Sequence, residues 1–358
     1  MPAKLSVIIC SLNGAAGVDR CLRALAAQTI FPALEVIVVD DGSTDATSEA
    51  GRAHGAVVIR HRVNRGLAAA RNTGLGAATA PVVAFLDDDC EPEPTWAQQL
   101  LSGYGEGVTG VGGLVLPVTS SRYLLGYLRR NNPLTPQELS LAESGRLPYR
   151  LKLYLQRQWA QHSDLSPRAV HSFAGANMSF SRQALAVAGQ FDERFRFGGE
   201  DQDLCVRLGR SFPAGQLMFR PDAVVRHHFK PTVRDTLRRS RAYGRGSARF
   251  YRKWPGTPPT IFPGPLLVLA MLSRSRRHPW LTVAAVAVPH LLYPRGLRHA
   301  LSTRSDASLL DAYVQLGQEA CGNIGFLQGL WLFRHLVREP GAGALQPAGS
   351  RDEAEAPT

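Results

Sequence analysis

Lysine is almost missing from this 358-residue chain: Lys4, Lys152, Lys230 and Lys253 are the whole supply. Arginine therefore carries nearly all of a formal charge of +12. That balance suits polyanionic partners: nucleic acid, phosphorylated ligands or an anionic membrane surface. Cysteine is sparse as well. Cys10, Cys21, Cys90, Cys205 and Cys321 are odd in number, and no two stand in C-x-x-C spacing. The pattern excludes a structural zinc site and leads us to expect a reduced, cytoplasmic compartment. A leader peptide is not expected, because Met1–Lys4 runs straight into the first strand pattern. No apolar run reaches the ~20 residues of a spanning helix. The chain does hold 44% apolar residues, ample for a core, and enough length for one large domain or two ordinary ones.

The first 90 residues alternate strand and helix patterns. Strands are predicted at Leu5–Cys10, Leu34–Val39, Ala56–Ile59 and Val82–Leu86, with helices at Val18–Gln28, Thr47–His54 and Gly66–Ala78 between them. Short loops between such elements imply right-handed crossovers and a parallel sheet. Asn13, Asp41 and Asp89 then lie along one edge of that sheet. A glycine-rich strand is predicted within Gly103–Leu116, a strand at Phe173–Ser181, and helices at Gln183–Ala188 and Asp203–Leu208. Residues 120–170 are polar and loop-rich, with no clear periodicity.

The strand Val82–Leu86 runs directly into Asp87, Asp88 and Asp89. Alternation along an extended chain points Asp87 and Asp89 to one side and Asp88 to the other. Three like charges at a strand end repel one another unless a cation answers them. Oxygen ligands of this kind suit Mg²⁺ or Mn²⁺, although a lone D-x-D is usually only a solvated turn. Asp40 and Asp41 end the second strand, where a carboxylate can take hydrogen bonds from a ribose or base, or simply cap a turn. Gly198-Gly199-Glu200-Asp201 places two acids ahead of a helix, where one of them could act as a base, with Asp203 as a candidate N-cap. His227 or His228 could complete a metal site or be ordinary surface histidines.

Taken together, SVIICSLNG at 6–14, EVIVVDDGSTD at 35–45, NRGLAAARNTGL at 64–75, VAFLDDDCEP at 83–92, GANMSFSR at 175–182 and FDERFRFGGEDQDLCVRL at 191–208 resemble family 2 glycosyltransferases over about residues 4–230. The resemblance implies an α/β fold of the GT-A type, a mostly parallel, Rossmann-like sheet flanked by helices. It implies inverting transfer from a UDP-, GDP- or dTDP-sugar to a hydroxyl of a glycan or lipid-linked acceptor. By position, Asp41 matches the base-contacting aspartate, with Ser11 and Asn13 lining the same pocket. Asp88 matches the ribose contact, Asp89 the direct metal ligand with Asp87 beside it, and His227 a metal-side histidine of some members. Asp201 matches the catalytic base and Glu200 its acceptor-side neighbour. Arg71 or Arg65 is expected to meet the diphosphate. The Q-x-x-R-W motif of processive members is missing, Gln158-Trp159 being the nearest scrap, so single addition is expected.

Beyond residue 230 the character changes. Thr232–Trp254 is an arginine-rich helix candidate, followed by two 14-residue apolar stretches, Pro259–Leu272 and Trp280–Tyr293, split by Ser273-Arg274-Ser275-Arg276-Arg277-His278. A basic and apolar helical region over 231–340 is expected to lie on the inner face of the cell membrane as a peripheral or re-entrant segment, and 341–358 to be a disordered tail. Two buried helices would explain the apolar stretches equally simply. Basic residues grouped beside apolar helices, not along an aromatic-lined groove, argue against nucleic acid. A catalytically degenerate membrane scaffold would lack Asp89 or Asp201, and both are present. A sugar nucleotidyltransferase would need a glycine-rich phosphate loop after the first strand, where Ser11-Leu12-Asn13-Gly14 has one glycine.

Overall fold

The computed structural model describes residues 2–141, 147–160, 165–254 and 261–335. The predicted alternation is realised as β1 (Leu5–Ser11), α1 (Ala15–Ala26), β2 (Leu34–Asp40), α2 (Thr47–Ala53), β3 (Val57–Arg60), α3 (Leu67–Ala77) and β4 (Val82–Asp87). Then follow β5 (Cys90–Pro92), α4 (Trp96–Ser102), β6 (Val108–Val118), α5 (Arg122–Arg130), α6 (Leu147–Trp159), β7 (Arg168–Val170), β8 (Asn177–Ser181) and α7 (Arg182–Ala188). The chain continues with α8 (Glu200–Ser211), β9 (Gln216–His228), α9 (Val233–Lys253), α10 (Pro263–Arg274), α11 (Trp280–Leu292), α12 (Pro294–Thr303) and α13 (Asp311–Leu332). Residues 120–170, patternless in sequence, thus contain α5 and α6. The expected tail at 341–358 lies outside the described residues.

The strands join in one sheet in the order β3-β2-β1-β4-β8-β6-β9-β5, with β7 also on β9. Period-two alternation assigns the side chains to its faces. Ile8, Ile37, Val39, Val83 and Phe85 meet α3, α7 and α8 through Ala68, Ala70, Leu185, Leu204 and Leu208. Leu5, Val7, Ile9, Val38, Ala84 and Leu86 meet α1 and α4 through Val18, Leu22, Leu25, Trp96 and Leu100. The expectation of a mostly parallel sheet needs correction. β1, β2, β3 and β4 pair in parallel, as do β6 and β9, but β4–β8, β6–β8, β5–β9 and β7–β9 are antiparallel. A parallel neighbour needs a crossover, and the two-residue turn Asp88-Asp89 is too short for one. β5 does not form a hairpin with β4 either, and pairs antiparallel with β9.

The C-terminal helices are not an appendage. Lys253 Nζ lies 2.8 Å from both Asp192 Oδ2 and Asp203 Oδ1, and Trp254 Nε1 donates to Asp203 Oδ1 at 2.9 Å. Arg207 adds a bond to Asp203 Oδ2 at 3.0 Å, so Asp203 is a buried anchor and not the expected N-cap of α8. Gly199, in the left-handed region at φ +96, takes the N-cap position. α9 and α13 cross at backbone contact. A Cβ on Gly325 would stand 2.0 Å from the Arg241 carbonyl oxygen, and one on Gly244 would stand 2.1 Å from that of Gly322. No helix among the described residues is long and apolar enough to cross a membrane.

Gly325→Val should lower thermal stability by about 1–3 kcal/mol, the usual cost of forcing extra bulk into a packed contact. Circular dichroism melts test this, and an unchanged melting temperature would mean that the α9–α13 crossing tolerates separation.

Candidate active site

β1, β2 and β4 end side by side, with Ser11 opposite Asp40 and Cys10 opposite Asp87. This brings Ser11, Asn13, Asp41, Asp87, Asp88 and Asp89 to one edge of the sheet, where the strand and helix alternation places Asn13, Asp41 and Asp89. Asp88 turns inward and its Oδ2 accepts from Ser11 Oγ. A Cβ on Gly14 would sit 2.1 Å from that oxygen, so the start of α1 approaches Asp88 closely only because residue 14 is glycine. Burial, opposed by the Ser11 bond, pushes the Asp88 carboxyl up to about 6.

Asp87 and Asp89 take the other side and face His227. Asp87 Oδ2 is 4.0 Å and Asp89 Oδ1 3.2 Å from His227 Nε2. His227 is buried, and that burial lowers its pKa to about 4, which leaves a neutral imidazole at physiological pH. Burial, and then the charges of Asp87 and Asp88, raise the Asp89 carboxyl well above the carboxylate range. Asp89 Oδ1 and His227 Nδ1 are buried without a hydrogen-bond partner among the described residues. Two carboxylates and a neutral imidazole, with orphaned polar atoms among them, fit a hard divalent cation. Cys90 Sγ lies in the same cluster, but burial pushes its thiol far up and it donates to the Ala176 carbonyl at 3.6 Å. His228 points elsewhere, 2.7 Å from Glu91 Oε1.

Asp41 is buried in its own loop. Its Oδ1 accepts from Arg65 N at 2.8 Å and meets His61 Nδ1 at 2.7 Å, while Oδ2 accepts from Gly66 N at 2.8 Å. Asn13, with φ +55, accepts from Thr44 N at 2.8 Å and donates its own N–H to Ser43 Oγ at 2.8 Å. The loops after β1 and β2 are therefore closed on each other before any ligand enters. His61 had no signal in the sequence, since a single histidine after a short strand has no spacing partner.

Arg71 is the clearest departure from expectation. It is 2% exposed, and its Nη1 donates to Glu200 Oε1 at 2.6 Å. Its Nη2 reaches Asp87 Oδ1 at 3.3 Å and the Gly175 carbonyl at 3.1 Å. The guanidinium is occupied by the protein itself and is not a free diphosphate contact. Arg65, the other candidate, leans on Glu193 at 3.5 Å. Glu200 is buried in that ion pair. Asp201, half-buried in the first turn of α8, accepts from Gly175 N at 3.0 Å and Gln202 N at 2.8 Å. Burial raises both carboxyls, with the charge of Arg71 opposing.

A family model described as glycosyl transferase family 2 matches residues 6–185, and one described as glycosyl transferase family group 2 matches residues 151–296. The chain is 30% identical over 282 residues to the pre-mycofactocin glycosyltransferase of Mycobacterium tuberculosis, covering 75% of this chain and 52% of that protein. It is 30% identical over 227 residues to the validoxylamine A glucosyltransferase of Streptomyces hygroscopicus subsp. limoneus, covering 57% and 47%. The chain thus spans about half the length of these curated relatives. Among solved structures, the mannosyltransferase of Pyrobaculum calidifontis, determined with GDP-Man and Mn²⁺, superposes with a TM-score of 0.54 at 20% identity, over 92% of this chain and 88% of that one. At that identity the likeness concerns the fold.

Removing Arg71 alone should leave Glu200 as an uncompensated buried charge. Arg71→Met is expected to cost about 3–5 kcal/mol in chemical denaturation, and Arg71→Met with Glu200→Met much less. Additive losses in that cycle would refute the pairing.

Proposed function

This chain belongs to glycosyl transferase family 2; we propose that it is a glycosyltransferase, a metal-dependent inverting enzyme that moves a sugar from a nucleoside-diphosphate sugar to an acceptor hydroxyl. The observation that carries this proposal is the joint placement of two acidic groups. Asp87, Asp89 and His227 form one, the Glu200–Asp201 pair the other, and Arg71 touches both through Asp87 and Glu200.

The residues divide the work. Asp89, Asp87 and His227 would hold a Mn²⁺ or Mg²⁺ ion. Such an ion supplies charge for the leaving diphosphate. Ser11, Asn13, Asp41 and Asp88 form the wall expected to meet the nucleoside. Asp201 accepts the proton of the acceptor hydroxyl as its oxygen bonds to the anomeric carbon. The bond from that carbon to the diphosphate oxygen breaks with its electron pair, and the nucleoside diphosphate departs. Glu200, locked by Arg71, sets the position of the α8 first turn and keeps a second negative charge beside the base. A base raised by burial must lose its proton before it works, so the rate rises with pH through a limb above the ordinary carboxylate range.

The proposal extends to the site of action. α10 exposes Leu266, Leu269 and Leu272, and α11 exposes Trp280, Val283, Val286 and Leu291. Arg274 ends α10, and Arg276, Arg277 and His278 lie between the two helices. An apolar face rimmed by arginines suits the interface of an anionic bilayer, where a lipid-linked or cell-envelope glycan at the inner face of the cell membrane would be met.

Asp201→Asn should lower kcat by about 10²–10⁴-fold while the melting temperature stays near that of the wild type. Wild-type turnover in that variant would remove Asp201 as base. Mn²⁺ should raise the wild-type melting temperature by mass action and fail to raise that of Asp89→Asn or His227→Ala. Equal shifts in all three proteins would place the ion elsewhere. Leu269→Glu with Val283→Glu should reduce sedimentation with phosphatidylglycerol vesicles, and undiminished sedimentation would sink the membrane assignment.

A further inference from the structure

Of the two arginines expected at the diphosphate, Arg71 is held by Glu200 and Asp87, and Arg65 is half-exposed, 3.5 Å from Glu193. A doubly charged leaving group still needs cationic donors, because charge-assisted hydrogen bonds are what hold phosphate oxygens in place. Such a donor stands on α9, beyond the stretch that resembles the catalytic core in sequence.

α9 lays one face along the site. Arg239, Tyr243 and Gly246 follow at the i, i+4, i+7 spacing of a single helical stripe. Gly246 sits against the backbone of Gly198, where a Cβ would stand 2.1 Å from the carbonyl oxygen. Tyr243 lies beside Gly198 as well, with a Cβ there 3.5 Å from the ring. One turn towards the N-terminus, the Arg239 guanidinium carbon stands 4.4 Å over the Phe229 ring, and Phe229 in turn stacks 4.5 Å from the His227 ring. Arg239 is close enough for its charge to act on both Asp89 and His227. Its Nη1 is buried and has no hydrogen-bond partner among the described residues. A buried guanidinium nitrogen without an acceptor costs stability unless something else fills the role.

The geometry points to Arg239 as the residue that contacts the donor diphosphate, supplied by α9 from the side of the site opposite the nucleoside wall. Phe229 lies against both the guanidinium and the His227 ring, which is itself within 4.0 Å of Asp87 and 3.2 Å of Asp89. This assignment rests on the nucleoside-diphosphate-sugar donor proposed above. It makes the C-terminal helices part of the catalytic unit.

Isothermal titration of the full chain in Mn²⁺ with UDP, GDP and dTDP, each beside its own monophosphate, tests the assignment. Arg239→Ala should lose about tenfold to a hundredfold in affinity for the diphosphate that the wild type binds, the range of one charge-assisted hydrogen bond. The monophosphate should bind the variant and the wild type alike, and Arg239→Lys should recover part of the loss. The Mn²⁺-induced rise in melting temperature should persist in both variants, which separates lost contact from lost fold. Wild-type diphosphate affinity in Arg239→Ala, with affinity lost in Asp89→Asn, would overturn Arg239 and leave the donor site standing. Equal losses for monophosphate and diphosphate would assign Arg239 a structural part and overturn the proposal. A wild-type protein that binds none of the diphosphates would overturn both the donor site and Arg239.

Discussion

A single buried guanidinium holds the acidic site together. Arg71 comes from α3, yet it bonds to Asp87 at the end of β4, to the carbonyl of Gly175 before β8, and to Glu200 at the start of α8. Two carboxylates from distant parts of the chain cannot be desolvated near each other without a cation between them. With Arg71 in place, the first turn of α8 is pinned beside the end of β4. Asp201, one residue after Glu200, inherits its position from that bond. The group that a sequence comparison would assign to the substrate is therefore occupied in shaping the site that receives it.

A second constraint is the fastening of α9. Lys253 and Trp254 fix its C-terminal end to Asp192 and Asp203, and Gly246 brings its middle against Gly198. α13 then braces α9 from behind across a glycine-lined crossing. These contacts change the meaning of the chain's positive charge. Arg241 and Arg245 bind Gln328, Arg249 and Lys253 face Asp192, and Arg239 faces the metal-ligand cluster. Much of a helix that reads as a basic surface serves the interior. Outside α9, Arg276 and Arg277 stay exposed in the turn between α10 and α11, beside the exposed leucines and valines of those helices.

The early half of the fold was legible because each signal was local. β1 to β4 are short apolar runs broken by Gly, Asn and Asp, and their edges fall within a residue or two of expectation. The alternation that sent Asp88 one way and Asp87 and Asp89 the other follows from backbone geometry alone, and the bonds to Ser11 and the approach to His227 agree with it. β5, β7, α5 and α6 were not legible in this way. β7 and β5 are three residues long, and their pairing with β9 is set by partners more than 40 positions away.

Sequence by itself determined the chemistry available: which carboxylates end which strands, the acid pair at a helix start, the histidine after a strand, and the family they resemble together. Those properties depend on residue type and on spacing within a few positions, which the chain carries without folding. Tertiary structure alone decided which of these groups is free and which is spent. It closed Arg71 on Glu200, made Asp203 an anchor, and brought Arg239 beside Phe229 and His227. Whether a charged side chain meets a partner or a ligand depends on what the rest of the fold brings within about 3 Å of it, the reach of a hydrogen bond. No periodicity records that distance.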